Sequence, residues 1–358
     1  MPIHRKIRVL IVDDSAIVRK ILTEALSAEP DIEVVGTAPD PYVARDKLLT
    51  LAPDVMTLDI EMPRMDGLTF LKRLMHFHPM PAIVISSLAQ PSCRAALQAL
   101  EDGAVEVLAK PGGPYSVGEL RQTLAGKVRA AACARVRRAA DPASTGTPPA
   151  PKPCPPCTLG SDTVLAIGAS TGGTEAIASI VSRLPANAPG VVVTQHIPPQ
   201  FSRAFADRLN AISAMEVKEA EDNDAVWPGR VLVAPGDFHM LLRKGSAGYY
   251  VHVKTGPRVC YQRPSVDVLF SSVAESAGSN AVAALLTGMG ADGAQGLLRL
   301  RQAGAHTIAQ DEATSVVYGM PREAVELGAA VQVLPLPAIA AALLSRRSNV
   351  RHSAGKVC

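Results

Sequence analysis

Aromatic side chains are scarce in this sequence, since tryptophan, tyrosine and phenylalanine together make up 4% of its 358 residues. Proteins that bind nucleic acid usually interleave aromatic and basic side chains on one folded face. The net charge is only +3, and the basic excess is concentrated in residues 121–158 rather than spread along a folded domain. These features argue against a nucleic-acid-binding protein.

Long apolar runs are also absent. No stretch of the sequence approaches the about 18 apolar residues that a membrane-spanning helix requires. The apolar run Val9–Val12 stops at Asp13, too early for the core of a signal peptide. Six cysteines in a chain of this length do not predict a disulfide framework. We therefore expect a cytoplasmic protein that does not insert into membranes.

Apolar residues, by contrast, make up 47% of the chain, which is enough for packed cores, and the length suggests two domains. A proline-rich stretch at residues 139–158 separates them, because proline removes amide donors and fixes φ. Cys154 and Cys157 in this stretch lack the second pair that a zinc site needs, so a plain linker is favoured. We predict a first domain over residues 1–125, a basic and then proline-rich linker over 126–161, a second domain over 162–345 and a basic tail over 346–358.

Short apolar runs alternate with helical patterns in both domains, which is typical of βαβ units and of parallel sheets covered by helices. Both domains are therefore expected to be α/β, the second one doubly wound with a β-hairpin. A fifth helix of the first domain is predicted to start near Gly118. The predicted strands are Arg8–Val12, Ile32–Ala38, Val55–Leu58, Ala82–Ile85 and Val105–Leu108 in the first domain, and Thr163–Ala169, Gly190–Gln195, Arg230–Ala234, Ala281–Thr287 and His306–Gln310 in the second, with Tyr249–Lys254 and Arg258–Tyr261 as the hairpin.

Polar side chains follow four of the five strands predicted for the first domain. Asp13 and Asp14 follow the first strand, Asp59 the third, Ser86 the fourth and Lys110 the fifth. Ligands of open α/β sheets collect at these carboxyl ends. Converging carboxylates repel one another unless a cation compensates, and Mg²⁺ prefers such hard oxygen ligands. A pair of acids after a strand also commonly caps the next helix, but that explains Asp14 alone.

These residues carry a resemblance to the receiver domains of response regulators over about residues 5–125. The matching segments are Val12–Ser15, Leu58–Gly67, Ile85–Ser87 and Ala109–Pro111. The resemblance implies a flavodoxin-like five-stranded fold, phosphorylation of Asp59 by a chemotaxis histidine kinase, and phosphate contacts from Ser86 and Lys110. It also implies that Asp13, Asp14 and Asp59 hold Mg²⁺. The family's fifth strand usually carries an aromatic residue where this chain has Val107.

The second domain contains a serine on a predicted sharp turn between a strand and a helix. Residues 168–172 satisfy the spacing Gly-x-Ser-x-Gly, which lifts Ser170 onto a turn surrounded by backbone amides. A glycine-rich phosphate cradle is the alternative, but the Gly-Lys-Ser/Thr ending of a Walker loop is missing. A serine hydroxyl is a weak nucleophile and needs a positioned base.

His196 and Asp292 are the candidates to complete a triad with Ser170. His196 directly follows the second strand of this domain, and Asp292 follows the fourth, so both belong to the edge where Ser170 lies. Taken alone, the histidine would be ordinary and the Asp-Gly pair a turn signal. The chain order Ser…His…Asp differs from that of α/β-hydrolases, but triads are recognised by geometry rather than by order.

A glycine pattern supports a competing interpretation. Gly288-x-Gly290-x-x-Gly293 matches the dinucleotide-binding fingerprint, follows a strand, and precedes Asp311 at the end of another strand. That interpretation predicts a dinucleotide-dependent oxidoreductase. However, the motif comes late in the domain rather than opening it, and the interpretation leaves Ser170 and His196 without a role.

With these segments in view, the second domain resembles the catalytic domain of the chemotaxis protein-glutamate methylesterases, the CheB family, over about residues 162–345. The matching segments are Ile167–Gly173, Gln195–Pro198, Ala234–Met240, Leu286–Gly293 and Tyr318–Pro321. The resemblance implies hydrolysis of glutamate methyl esters on the cytoplasmic helices of chemoreceptors (methyl-accepting chemotaxis proteins), with release of methanol. It also implies a companion deamidation of glutamine and no cofactor for the esterase reaction.

The proposed roles are Ser170 as nucleophile, His196 as general base and Asp292 as the acid that orients it. The backbone amides of Thr171 and Met289 are the candidates for the oxyanion hole. The family also implies that the unphosphorylated receiver covers the esterase cleft, which is our hypothesis here. Besides the esterase and the oxidoreductase, a receiver linked to a non-catalytic interaction domain remains a third class, and methanol release would separate the three.

Overall fold

Two parallel β-sheets, one in each half of the chain, organise the protein. The computed structural model describes residues 5–63, 65–110, 114–136, 154, 159–160 and 162–345. Most of the predicted linker and the whole basic tail over 346–358 lie outside the described residues, as does Cys157. Cys154 is described and buried, and its amide donates to the carbonyl oxygen of Arg183 in the second domain.

The first sheet has five parallel strands in the order β2-β1-β3-β4-β5. This is the flavodoxin-like order, whose crevice lies beyond the carboxyl ends of β1 and β3. Helices α1 and α3 begin at polar caps, Ser15 and Asp66, whose side chains accept bonds from amides of the first turn. The strands are β1 (Ile7–Val12), β2 (Ile32–Ala38), β3 (Val55–Asp59), β4 (Ala82–Ser86) and β5 (Glu106–Ala109), and the helices are α1 (Ala16–Ser27), α2 (Pro41–Leu51), α3 (Gly67–Phe77), α4 (Gln90–Glu101) and α5 (Pro114–Ala132).

Helix α5 starts earlier than predicted, at Pro114 rather than near Gly118. It continues to Ala132, past residue 125, the predicted end of the first domain. Leu124 and Val128 are fully buried in the core of the first domain, so packing extends the helix into the basic segment. The five strands and the α/β class of this domain agree with the sequence prediction.

The second sheet has seven parallel strands in the order β15-β14-β13-β6-β7-β10-β8. The chain runs outward from β6 through β7 and then returns to the other side of β6 at β13, which makes a topological switch point where ligands of such sheets bind. The strands are β6 (Val164–Ala169), β7 (Gly190–Gln195), β8 (Glu216–Glu219), β10 (Arg230–Val233), β13 (Ala281–Leu285), β14 (His306–Gln310) and β15 (Gln332–Leu334). The helices are α6 (Gly173–Val181), α7 (Phe201–Ile212), α8 (Val266–Ser276), α9 (Ala294–Gln302), α10 (Met320–Glu326) and α11 (Leu336–Leu343).

The β-hairpin exists, but the predicted pairing was wrong. Strand β12 (Gly248–Lys254) pairs antiparallel with β11 (His239–Gly245), and with β9 (Ala225–Val226) it completes a three-stranded sheet. Residues 258–261 cannot continue as a strand, because Cys260 and Tyr261 turn back at φ 50° and 62°. Only an isolated bridge between Val259 and Gln262 forms there. Short edge strands β8, β9 and β15 were not predicted.

The two domains pack against each other through helix α4 of the first and α7 of the second. One buried apolar cluster includes residues of both domains. At its rim Arg208 of α7 bonds Glu101 of α4 at 2.6 Å and Glu175 of α6 at 2.6 Å. A second ion pair joins Arg135, after α5, to Glu312 at 2.7 Å.

Candidate active site

Ser170, His196 and Asp292 meet at the carboxyl ends of β6, β7 and β13, around the switch point of the second sheet. The ring Nδ1 of His196 lies 3.1 Å from the Ser170 Oγ, and its Nε2 lies 2.7 Å from the Asp292 Oδ2. All three residues are at least 95% buried. The side chains that the sequence placed in one triad therefore lie in consecutive hydrogen-bond contact.

The orientation of the imidazole defines how its protons are used. A proton on Nε2 is donated to Asp292, which leaves the lone pair of Nδ1 to accept from the Ser170 hydroxyl. This places the ring nitrogens opposite to the trypsin-type arrangement, in which Nε2 faces the serine. The chemistry is equivalent, since either nitrogen can act as the base once the other is protonated.

Asp292 is held at the N-terminus of α8. Its Oδ2 also accepts from the Val266 amide at 2.7 Å, and its Oδ1 accepts from the Ser265 hydroxyl at 2.8 Å and the Asp267 amide at 3.0 Å. Burial by itself raises the pKa of Asp292, but the hydrogen bond and charge of His196, with these donors, outweigh it and hold the pKa below its usual value. The carboxylate therefore remains ionised beside the histidine.

The turn that carries Ser170 does not have the strain of an α/β-hydrolase elbow. Ser170 has no positive φ; the left-handed position is Gly172, at φ 75° and ψ 0°, and the Gly173 amide donates to the Ser170 carbonyl oxygen at 2.7 Å. This is a type II turn, which needs a glycine at its third position. Gly288 allows the neighbouring loop to approach, because a Cβ there would lie 2.7 Å from the Ser170 Cβ.

Thr171 directly follows the nucleophile, and Met289 follows Gly288, where an added Cβ would lie 2.7 Å from the Cβ of the nucleophilic serine. Among the described residues neither of their backbone amides donates a hydrogen bond, so both remain available to an oxyanion. Thr287, which the sequence analysis missed, holds one of these loops: its hydroxyl donates to the Thr171 carbonyl oxygen at 2.9 Å and accepts from the Val317 amide at 3.0 Å. Its position, directly before Gly288 at the end of a strand, was the available signal.

A carboxylate from the first domain also reaches this site. Glu106 of β5, 7% exposed, accepts a hydrogen bond from the Thr171 hydroxyl at 2.7 Å. The same oxygen of Glu106 lies 2.5 Å from the Lys127 Nζ of α5. No local sequence pattern predicts this contact, because it joins residues of different domains, 65 positions apart. The first domain is thus bonded to the residue that follows the nucleophile.

The acidic residues of the first domain form a second cluster, at the carboxyl ends of β1 and β3. One carboxylate oxygen from each of Asp13, Asp14 and Asp59 lies within 4.8 Å of the other two. Burial is the main reason that the pKa of Asp13 rises to about 6; the charge of Lys110 opposes the shift and that of Asp59 adds to it. The Asp13 Oδ2 is buried and has no hydrogen-bond partner among the described residues. Three convergent hard oxygens, one of them unpartnered, fit a Mg²⁺ ion.

Lys110 and Ser86 complete this cluster. The Lys110 Nζ lies 2.6 Å from the Asp59 Oδ2 and 3.9 Å from the Asp13 Oδ2. The Lys110 amide bonds the Ser86 carbonyl oxygen at 2.8 Å, which brings the ends of β4 and β5 together. Burial raises the pKa of Asp59, although its bond to Lys110 works in the opposite direction. Each residue predicted for the phosphorylation site therefore lies around Asp59.

The dinucleotide interpretation is not favoured by the geometry. Gly290 adopts a φ of 88°, which favours glycine, and added Cβ atoms on Gly288 and Gly293 would collide with Met320 and Val266. The glycines therefore serve loop packing around the triad. Asp311, the acidic residue that follows this motif, already accepts from the amide and hydroxyl of Thr314.

These two sites are typical of a serine hydrolase joined to a regulatory domain of the response-regulator type. The family description "CheB methylesterase" matches residues 165–343, and "Response regulator receiver domain" matches residues 9–124. The chain belongs to the CheB methylesterase family and carries a response-regulator receiver domain, as its motifs predicted.

Similar proteins agree with this assignment. A protein-glutamate methylesterase/protein-glutamine glutaminase of Syntrophus aciditrophicus is 56% identical over 335 residues, 94% of this chain and 97% of that protein. One from Pseudomonas aeruginosa is 52% identical over 347 residues, 96% of this chain and 97% of that protein. The crystal structure of the Thermotoga maritima CheB methylesterase catalytic domain is 40% identical, covers 52% of this chain and 98% of its own, and has a TM-score of 0.50.

Among the described residues, no helix combines the length and the apolar character that crossing a membrane would require.

Proposed function

We propose that this chain hydrolyses glutamate methyl esters on the cytoplasmic helices of chemoreceptors, releases methanol, and deamidates receptor glutamines, under control of phosphorylation at Asp59. The contact of Ser170 with His196 at 3.1 Å and of His196 with Asp292 at 2.7 Å carries the proposal. The names of the similar proteins support both activities. We place the enzyme in the cytoplasm, where such helices lie.

The first half of the reaction forms an acyl-enzyme. Ser170 Oγ attacks the ester carbonyl carbon while His196 Nδ1 takes its proton, and Asp292 stabilises the resulting imidazolium. The amides of Thr171 and Met289 donate to the carbonyl oxygen as it becomes negative; one such donor is typically worth about 3–4 kcal/mol. The imidazolium then gives its proton to the departing methoxide, and methanol leaves.

The second half restores the enzyme. His196 Nδ1 takes a proton from water, whose oxygen attacks the acyl carbon, and the proton then returns to Ser170 Oγ as the product leaves. The product is released as the carboxylic acid of glutamate, which then loses its remaining proton to the solvent. A glutamine side chain follows the same path, with ammonia in place of methanol. His196 carries the proton that is transferred within the site in each half of the reaction.

Phosphorylation in the receiver uses the cluster around Asp59. Asp13, Asp14 and Asp59 would hold Mg²⁺, which neutralises phosphoryl charge when bound. Lys110, 2.6 Å from Asp59, and Ser86 would contact the phosphoryl oxygens. The phosphodonor is a chemotaxis histidine kinase. The receiver spans the described residues up to Ala132, where α5 ends.

The conformation described here is the inhibited one. Ser170 is 3% exposed, and Glu106 of the receiver is bonded to the adjacent Thr171. A ligand or modification shifts the populations of two states only by the difference in its free energy of interaction with them. Phosphorylation therefore activates the enzyme if the phosphoryl group is more stable on an undocked receiver than on a docked one. The Glu106–Thr171 bond is one of the contacts that this undocking breaks.

The test is methanol release from methylated receptor by the full chain and two serine variants. Ser170→Ala should fold normally and lose nearly all turnover. Ser271→Ala, a matched control on α8 whose hydroxyl accepts from Arg299, should keep the wild-type rate. Methanol release by Ser170→Ala at the wild-type rate would remove Ser170 from the nucleophile role.

A further inference from the structure

Gln195 links the nucleophile to the base. It is the last residue of β7, is 2% exposed, and directly precedes His196. Its Nε2 donates to the Ser170 carbonyl oxygen at 2.8 Å and to the His196 carbonyl oxygen at 3.2 Å. One side-chain amide thus joins the backbones of two catalytic residues that are 26 positions apart.

The surroundings fix which end of the Gln195 amide faces the triad. Two carbonyl oxygens accept from its nitrogen, and the flipped amide would set an oxygen against both. The opposite end, Oε1, is buried and has no hydrogen-bond partner in the described part of the chain. Gly173 leaves the space for it, since a Cβ there would lie 2.2 Å from Oε1.

This arrangement is costly for a residue with a purely structural role. A buried acceptor without a partner costs about 1–3 kcal/mol, whereas an apolar side chain of similar size would pack there without that cost. A buried polar group without a partner therefore calls for an explanation. The nitrogen end of Gln195 therefore has a role that outweighs the unpartnered oxygen.

The geometry of a trans peptide indicates what that role is. The Ser170 carbonyl and the Thr171 N–H belong to one planar peptide group and point in opposite directions. Gln195 and the Gly173 amide both bond this carbonyl oxygen, at 2.8 Å and 2.7 Å, so its two lone pairs are engaged. Fixing the carbonyl aims the Thr171 N–H away from Gln195, toward the oxyanion position.

We propose that Gln195 is a positioning residue that aims the Thr171 amide at the oxyanion and holds Ser170 and His196 at their reactive separation. The inference rests on the proposed esterase function. Gln195 touches no reacting atom, and it acts through the peptide group that it holds. Its loss therefore weakens stabilisation of the transition state more than binding of the substrate.

The experiment compares Gln195→Met and Gln195→Glu in the full chain, with Mg²⁺ and an acyl phosphate present to phosphorylate the receiver. Methionine keeps the length and volume but removes the donor, and kcat should fall roughly ten- to a hundred-fold with KM within about threefold. In Gln195→Glu a carboxylate oxygen, which can only accept, faces the carbonyl oxygens of Ser170 and His196 and repels them, so kcat should fall further than in Gln195→Met. The substrate is the methylated receptor, and the rate of methanol release is measured.

A boronic acid inhibitor separates positioning from general destabilisation. It binds a catalytic serine as a tetrahedral adduct whose oxygen occupies the oxyanion hole, so its Ki should rise by the same factor as kcat falls. The control is Ser272→Ala, which removes buried bonds to Leu242 and Leu269 away from the triad. It should lower Tm and leave kcat and Ki unchanged.

Three results would overturn the proposal: a kcat within twofold of wild type in Gln195→Met, a loss confined to KM, or a boronic acid Ki that stays constant while kcat falls. If Gln195→Met fails to fold, the same three criteria apply to the isosteric Gln195→Glu. The Ser170→Ala variant separates a wrong role for Gln195 from a wrong proposed function. If only the role of Gln195 is wrong, Ser170→Ala is inactive; if the proposed function is wrong, Ser170→Ala remains active.

Discussion

Replacing Glu106 with leucine should raise the activity of the unphosphorylated enzyme. Leucine fills a similar volume but cannot accept from the Thr171 hydroxyl, which is 2.7 Å from Glu106 and belongs to a residue 1% exposed. It also leaves Lys127 without its partner at 2.5 Å. The bond to Thr171 exists only in the docked state, whereas Lys127 belongs to the first domain and loses its partner in both states. The loss of the Thr171 bond is therefore what favours undocking.

The magnitude follows from the burial of the Glu106–Thr171 bond. A hydrogen bond to a charged group contributes about 1.5–3 kcal/mol. The Lys127 ammonium group is partly exposed, so water can solvate it once Glu106 is removed. A loss of about 2 kcal/mol corresponds to a shift of about 30-fold in the equilibrium between docked and undocked receiver. Basal turnover should rise by that factor, up to the level of the phosphorylated enzyme.

The assay is methanol release with and without Mg²⁺ and acyl phosphate. Glu312→Gln is the matched control, because its ion pair with Arg135 also joins the two domains at 2.7 Å but is more than half exposed on both sides. Exposed pairs contribute about 0–1 kcal/mol, so its basal rate should change by less than roughly fivefold. Basal rates for Glu106→Leu equal to those of the control, or an equal rise in the phosphorylated rate, would refute the reasoning.

Asp292→Asn should lower kcat by about 10³–10⁴-fold, since an amide neither stabilises the imidazolium nor selects its tautomer. The folded pKa of Asp292 lies below its unfolded value, near 4, so its carboxylate stabilises the fold above the unfolded pKa, and this stabilisation is lost as pH falls through the folded pKa. The free energy of unfolding in urea should therefore fall less steeply with decreasing pH in Asp292→Asn than in the wild type. An equal fall in both proteins would contradict this. Asp59→Asn should neither incorporate phosphate from acyl phosphate nor be activated by acyl phosphate, while its basal methanol release persists. Activation of this variant by acyl phosphate would argue against Asp59 as the phosphorylated residue. Chelating Mg²⁺ should stop phosphorylation and leave basal esterase turnover unchanged, whereas a metal-dependent basal rate would contradict the assignment of the ion to the receiver.

The polar residues of both sites were predictable because they follow strands in the sequence. Apolar runs locate the strands, and the carboxyl edge of a parallel sheet collects whatever follows them. Ser170, His196 and Asp292 could therefore be assigned to one edge before any distance was known. The same reasoning assigned Asp13 and Asp59 to the edge of the first sheet.

Other features had no such local signal. The partner of β12 was wrongly predicted because positive φ at Cys260 and Tyr261 ends the apparent second strand. Helix α5 extends beyond residue 125 because Val128 is buried in the core of the first domain.

What the sequence determined by itself was the two α/β domains and the identities of the chemical groups at their sheet edges. These follow from the periods of apolar residues and from short motifs, which are local properties of the chain. Tertiary structure alone decided which nitrogen of His196 faces Ser170, that Gln195 bonds the nucleophile's peptide, and that Glu106 reaches Thr171. Each of these contacts joins residues 25 to 65 positions apart. They depend on how side chains pack across strands and domains, which no local pattern specifies.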